Sequence, residues 1–187
     1  MDREDIKKVI GIMVTSYPNY KPQDMKMTVD IWYEMLQDYL ASDVFIALKS
    51  YIASDTSGFA PSIGQLINMI CKTTKPQLMN EHEAWSLVRK ALENGIYNSQ
   101  REFDNLPELV QKAVGSANQI HVWASDPDYD EGVMSSNFMR AYRTVCARQE
   151  EYNRMPKEAQ LRIDVLREQA IEQKGVGLIE ERDIQSE

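Results

Sequence analysis

The sequence predicts an all-α fold: a small N-terminal helical domain, a second helical region, and a C-terminal amphipathic helix with a flexible tail. Three observations lead there. Apolar residues recur at i, i+3, i+4 and i+7 through most of the chain, which places them on one stripe of a helix. Runs of alternating β-branched and aromatic residues closed by a two-residue glycine turn, the signature of paired strands, are nearly absent. Proline, glycine and short polar clusters divide the apolar stripes into helix-length segments.

Taken in order, Ile6, Val9, Ile10 and Met13 form the first stripe. The stretch "SYPNYKPQD" interrupts it, because Pro18 and Pro22 fix φ and push the preceding residues away from helical backbone. Asp24 or Thr28 caps a second helix carrying Val29, Trp32, Tyr33, Leu36 and Leu40. Ser42 is the expected N-cap of a third, since its hydroxyl can accept from the free N–H groups of a first turn. That helix presents Val44, Ala47, Leu48 and Tyr51. Gly58 and Pro61 break the pattern, and Ser62 opens a fourth helix with Ile63, Leu66, Ile67 and Ile70. The period fades over "CKTTKPQLMN" at 71 to 80, so a domain boundary is expected there.

Beyond it, Asn80 caps a fifth helix carrying Trp85, Val88, Ala91 and Leu92. Ser99 and Glu102 have capping-box spacing, Pro107 suits a first helical position, and Gly115 follows a helix end. Ser116 opens a short helix with Ile120 and Trp123. Met134, Phe138, Ala141, Tyr142, Val145 and Tyr152 trace a longer one that Pro156 stops. A last helix runs through Leu166, and "KGVGLIEERDIQSE" reads as a frayed end. The expected organisation is thus residues 1–74, residues 80–154, and a terminal helix and tail over 155–187.

Composition narrows the function. With 21 basic and 29 acidic residues the formal charge is −8, so the molecule as a whole repels a phosphate backbone. Weak or no autonomous DNA binding is expected. "DPDYDE" at 126 to 131 concentrates four of the acids. Lys7, Lys8, Lys21 and Lys26 are the one early group of bases, with Asp24, Asp30 and Glu34 close in sequence; an origin DNA-binding module is the alternative they would serve. The apolar runs fall far short of the roughly 20 residues that cross a bilayer, and the charged start "MDREDIKKVIG" is unlike a secretory signal. No membrane association and a cytoplasmic location are expected. Cys71 and Cys146 suit buried thiols in a reducing compartment.

The chemistry-bearing motifs are missing. There is no G-x-x-x-x-G-K-[ST] and no G-x-G-x-x-G, so no backbone cradle for a nucleotide's phosphates is expected. Cys71, His82, His121 and Cys146 lack the paired short spacing of structural zinc ligands. Neither histidine neighbours a nucleophile motif. The chain therefore reads as a non-enzyme with no cofactor and no metal.

Four pieces, "YPNY", "TVDIWYEMLQDY", "ALKSYI" and "GFAPSIGQLI", in their order over roughly residues 5 to 70, resemble the N-terminal domain of phage-encoded loaders and inhibitors of the replicative helicase in Gram-positive hosts. The segments from Glu83 to Ala124 and from Ser135 to Arg148 are similar to the longer C-terminal region of phage replication proteins of that type. The resemblance implies an adaptor that binds a hexameric DnaB-type helicase, restrains it, and delivers it to the phage origin through protein contacts, without a nucleotide site of its own. A phage origin-binding initiator or a single-strand binding protein is a further implied partner. The short prototype of the family uses a flexible C-terminal part for the helicase contact, whereas residues 80 to 154 here carry the pattern of a folded region.

Two stretches are expected to supply partner contacts. Tyr17 and Tyr20 lie in a proline-stiffened loop, where docking costs little ordering entropy. The segment 156 to 173 places Ala159, Ile163, Leu166 and Ala170 on one stripe with Leu161 and Val165 beside it, the pattern of a helix that lies in a partner's groove.

Overall fold

The computed structural model describes residues 1–74 and 78–184, with side chains as far as Ala170. Among the described residues there are ten helices and no strand. They divide into two compact units: Met1–Lys75 with Asn153–Glu187, and Pro76–Tyr152.

The first unit begins with α1 (Arg3–Ser16). Asp2 caps it, accepting from the Asp5 N–H at 2.8 Å while the Asp5 carboxylate accepts from the Asp2 N–H, so two orphan donors of the first turn are satisfied. The chain then turns through the proline loop into α2 (Met25–Leu36), capped by Asp24, whose carboxylate accepts from the Met27 N–H at 2.9 Å. Thr28, the other predicted cap, lies inside the helix with its hydroxyl on the Asp24 carbonyl. Two expectations fail at the next junction. Helix α2 ends at Leu36, so Leu40 is not on its stripe; it stands in extended backbone, 68% exposed, with its carbonyl starting the ladder of α3 (Ala41–Ser54). Ser42 is consequently already inside α3, where its hydroxyl meets Asp43 instead of free backbone. Asp55 then folds a tight turn, and Gly58 takes φ +73°, a conformation that costs glycine nothing. Ser62 and Gln65 reciprocate hydrogen bonds at the start of α4 (Ile63–Thr74), which runs three residues past the predicted fading of its pattern at Cys71.

The core of this unit is built from the predicted stripes. Ile6, Val9, Ile10 and Met13 meet Val29, Trp32 and Leu36, with Val44, Ala47, Leu48, Leu66, Ile67 and Ile70 closing the cluster. Removing such side chains from water contributes roughly 25 cal/mol per Å² of apolar surface, the main term holding four short helices together. Tyr33 and Tyr51 are only half-buried. Arg3 ties α1 to α2 by pairing with Asp30 and lying 4.9 Å from the centre of the Tyr33 ring.

The second unit opens with α5 (Glu81–Leu92), capped by Asn80 in a box with Glu83. Helix α6 (Gly95–Asp104) is kinked at Asn98, so Ser99 sits within a helix and not at its start, and the predicted capping box does not form. Pro107 caps the short α7 (Glu108–Val114) from just outside, because its ψ of 147° is not helical. Gly115 ends that helix at φ +94°, and Ser116 caps α8 (Ala117–Ser125). Helices α6 and α8 cross closely at Gly95, where a Cβ would stand 2.9 Å from both Ala124 Cβ and Ile120 Cγ2.

Helix α9 (Glu131–Arg154) lays Phe138 and Tyr142 into this core. A chain of rings results: Trp123 edge-on to Trp85 at 6.4 Å, Trp85 to Phe138 at 5.5 Å, and Phe138 stacked on Tyr142 at 5.8 Å. The Tyr142 hydroxyl donates to the Met79 carbonyl at 3.1 Å. Pro156 separates α9 from α10 (Lys157–Ile184), as expected. The frayed end predicted for 174 to 187 lies outside the residues whose side chains are described.

Candidate partner-binding surface

Helix α10 carries most of the predicted contact residues, and the structure sorts them by exposure. Ala159 and Ile163 are half-buried, whereas Leu161, Val165 and Leu166 are 67%, 51% and 56% exposed and Ala170 is exposed too. At 100° per residue, Leu161 and Val165 stack one turn apart on the side of the helix opposite Ile163. The apolar residues therefore face two ways: Leu161 and Val165 are exposed on one side, while on the other Ala159 and Ile163 are half-buried beside exposed Leu166 and Ala170. Arg167 and Asp164 pair on the same helix at 3.4 Å, giving a charged margin.

The two tyrosines of the proline loop do not form such a surface. Tyr17 is 4% exposed, so its ring belongs to the interior and offers nothing to a partner. Burial pushes its pKa up, with the nearby Asp55 carboxylate second. Its hydroxyl is buried without a hydrogen-bond partner among the described residues. Asp55 is within electrostatic reach but spends its carboxylate on the Ser57 N–H and hydroxyl and on the Gly58 N–H, which holds its own pKa down. Tyr20 is half-buried against the same core, and burial raises its pKa as well.

Exposed apolar groups that sequence reasoning did not single out lie elsewhere on the first unit. Met27 and Ile31, one turn apart on α2, are 60% and 43% exposed. Phe59 stands 64% exposed directly after the Asp55 turn, so a braced loop displays it. Periodicity could not have found these residues, because they lie off the stripes that periodicity detects.

Lys7 and Lys8 are engaged by Glu4 and Asp5 of their own helix, at 2.6 and 3.4 Å. Of the cysteines, both predicted buried, each is only half-buried. The Cys71 thiol donates to the Asn153 carbonyl at 3.6 Å, and burial pushes the Cys146 thiol above its ordinary pKa, away from a reactive thiolate. His121 Nδ1 lies 3.1 Å from the Ile96 carbonyl oxygen. Among the described residues, no three His, Cys, Asp or Glu side chains converge as metal ligands, and no helix is long and apolar enough to cross a membrane.

Residues 1–67 match the family model for the N-terminal domain of the helicase loader and inhibitor of phage SPP1. No curated protein and no solved structure matches the chain. The matched span, just over a third of the chain, covers α1 to α3 and the first turn of α4, which supply most of the first core, and over that span the chain is similar to phage helicase loader and inhibitor domains.

Proposed function

We propose that this protein is a phage replication adaptor that binds a hexameric DnaB-type helicase, restrains it, and loads it at an origin through protein–protein contacts, without an ATPase activity of its own. The family of the N-terminal domain carries this reading. The net charge of −8 supports it, because an acidic adaptor engages a protein motor without itself competing for the DNA strand. The mechanism is a population shift. An adaptor that prefers one state of the ring, open or nucleotide-bound, favours that state by no more than its differential affinity, and its release returns an active motor.

The exposed apolar groups of α10 are the proposed grip, with Leu161 and Val165 entering a groove on the helicase from one side of the helix and Leu166 and Ala170, next to Ile163, contacting it from the other. Their exposure supports the assignment, since Leu161, Val165 and Leu166 each have apolar surface still to be buried. A chain ending after Met155 is expected to stay folded, as both hydrophobic clusters lie within residues 1 to 146, and to lose helicase capture in a pull-down. Undiminished capture would remove α10 from the interface.

A further inference from the structure

An open cleft of about 380 Å³ lies on the second unit, and its walls combine aromatic rings with negative charge. Trp123 and Tyr129 supply the rings. Glu93, Asp126 and Glu131 supply three carboxylates against one cation, Arg89. From these groups we infer that the cleft is a socket for an arginine side chain presented by a partner protein.

The electrostatics favour a cation beyond the count of side chains. Glu93 is the C-cap of α5 and Asp126 the C-cap of α8, so the negative ends of two helix dipoles converge on the cleft together with their carboxylates. Acids at helix C-termini work against the stability of both helices, and here both line one cleft. Arg89 offsets only part of the charge: its guanidinium lies 3.7 Å from Glu131, while Glu93 has no ion pair among the described residues.

The walls are held in place before anything binds. Trp123 is braced edge-on by Trp85, itself packed on Phe138. Asp126 accepts from the Asp128 N–H at 2.9 Å, and Asp130 from the Val133 N–H at 3.1 Å, so the acidic loop is folded on itself. A guanidinium fits this arrangement better than an ammonium. Its planar face stacks on an indole or phenol, while its edge donates in pairs to a carboxylate. Nucleotide phosphates are disfavoured by the same charges.

The test is independent of the helicase reading, because it uses small probes. N-acetyl-arginine amide is titrated into the full chain at low salt, with the neutral isostere N-acetyl-citrulline amide and with deoxyadenosine monophosphate in parallel. The Trp123 indole N–H resonance, assigned with Trp123→Phe, is followed by NMR. Saturable movement with arginine, at least tenfold weaker with citrulline and diminished by added salt, is expected. Glu93→Gln should weaken arginine binding at least fivefold while leaving the melting temperature equal or higher, since the helix end loses an unfavourable charge. An equal response to citrulline, a stronger response to the nucleotide, no movement of Trp123, or full arginine binding by folded Glu93→Gln would each overturn the assignment.

Discussion

Tyr17 shows how a single atom decides what a residue can do. Its ring is buried, but its hydroxyl is buried with no hydrogen-bond partner among the described residues. An unsatisfied buried hydroxyl costs roughly 1–3 kcal/mol. Tyr17→Phe keeps the ring and removes that cost, so a gain of about 1 kcal/mol in urea unfolding is expected; a loss would mean that the hydroxyl is satisfied in solution. Tyr142 is the opposite case, with its hydroxyl donating to Met79 and its ring 2% exposed. Burial, followed by the hydrogen bond with Cys146, pushes its pKa up to about 12 from 10.0. A raised pKa means that the fold favours the neutral phenol. Its contribution is fully present below the unfolded value of 10.0 and lost as pH rises from there through about 12. Tyr17, Tyr20, Tyr39 and Tyr129 shift in the same direction. Stability should therefore fall across this window, and Tyr142→Phe should fall less steeply in urea midpoints measured from about pH 9 upward; an unchanged slope would contradict the assignment.

At the scale of elements, the crossing of α6 and α8 at Gly95 leaves no room for a Cβ. Gly95→Ala gains helix propensity worth up to about 1 kcal/mol but drives a methyl into Ile120 and Ala124, and overpacking typically costs about 1–3 kcal/mol. A net destabilisation is expected, whereas Gly11→Ala, with open space at its Cβ, should stabilise by about 0.5–1 kcal/mol. Equal effects of the two on thermal unfolding would deny the close approach. The same contrast explains what could be read in advance. The stripes from Ile6 to Met13 and from Leu66 to Ile70 were legible because burial of one face is a local, periodic signal. Caps were legible where a polar side chain directly preceded a stripe, as at Asn80 and Ser116. They were misread at Ser42 and Ser99, because the helix start depends on where the preceding turn releases the chain: Leu40 in one case, the kink at Asn98 in the other. The cleft at Trp123 was not legible, since it is made by residues from 89 to 131 that meet only in the fold.

For the whole molecule, the proposed adaptor role needs no chemistry of bond making, only surfaces of the right shape and charge on two folded units. The likeness of residues 1–67 to a helicase loader and inhibitor domain was readable from ordered segments of sequence, while the proposed grip on α10 rests on the exposure that the structure reveals. Affinity through such a helix comes from a few well-buried apolar anchors, so loss of these anchors should act mainly on how long a complex lasts. The most direct test of the adaptor claim mixes the full chain with the cognate replicative helicase, with and without ATP, and follows complex mass by light scattering alongside strand unwinding. A stable complex in at least one nucleotide state, with unwinding suppressed while it persists, is the predicted result; helicase that stays free and fully active under every nucleotide condition would contradict the claim.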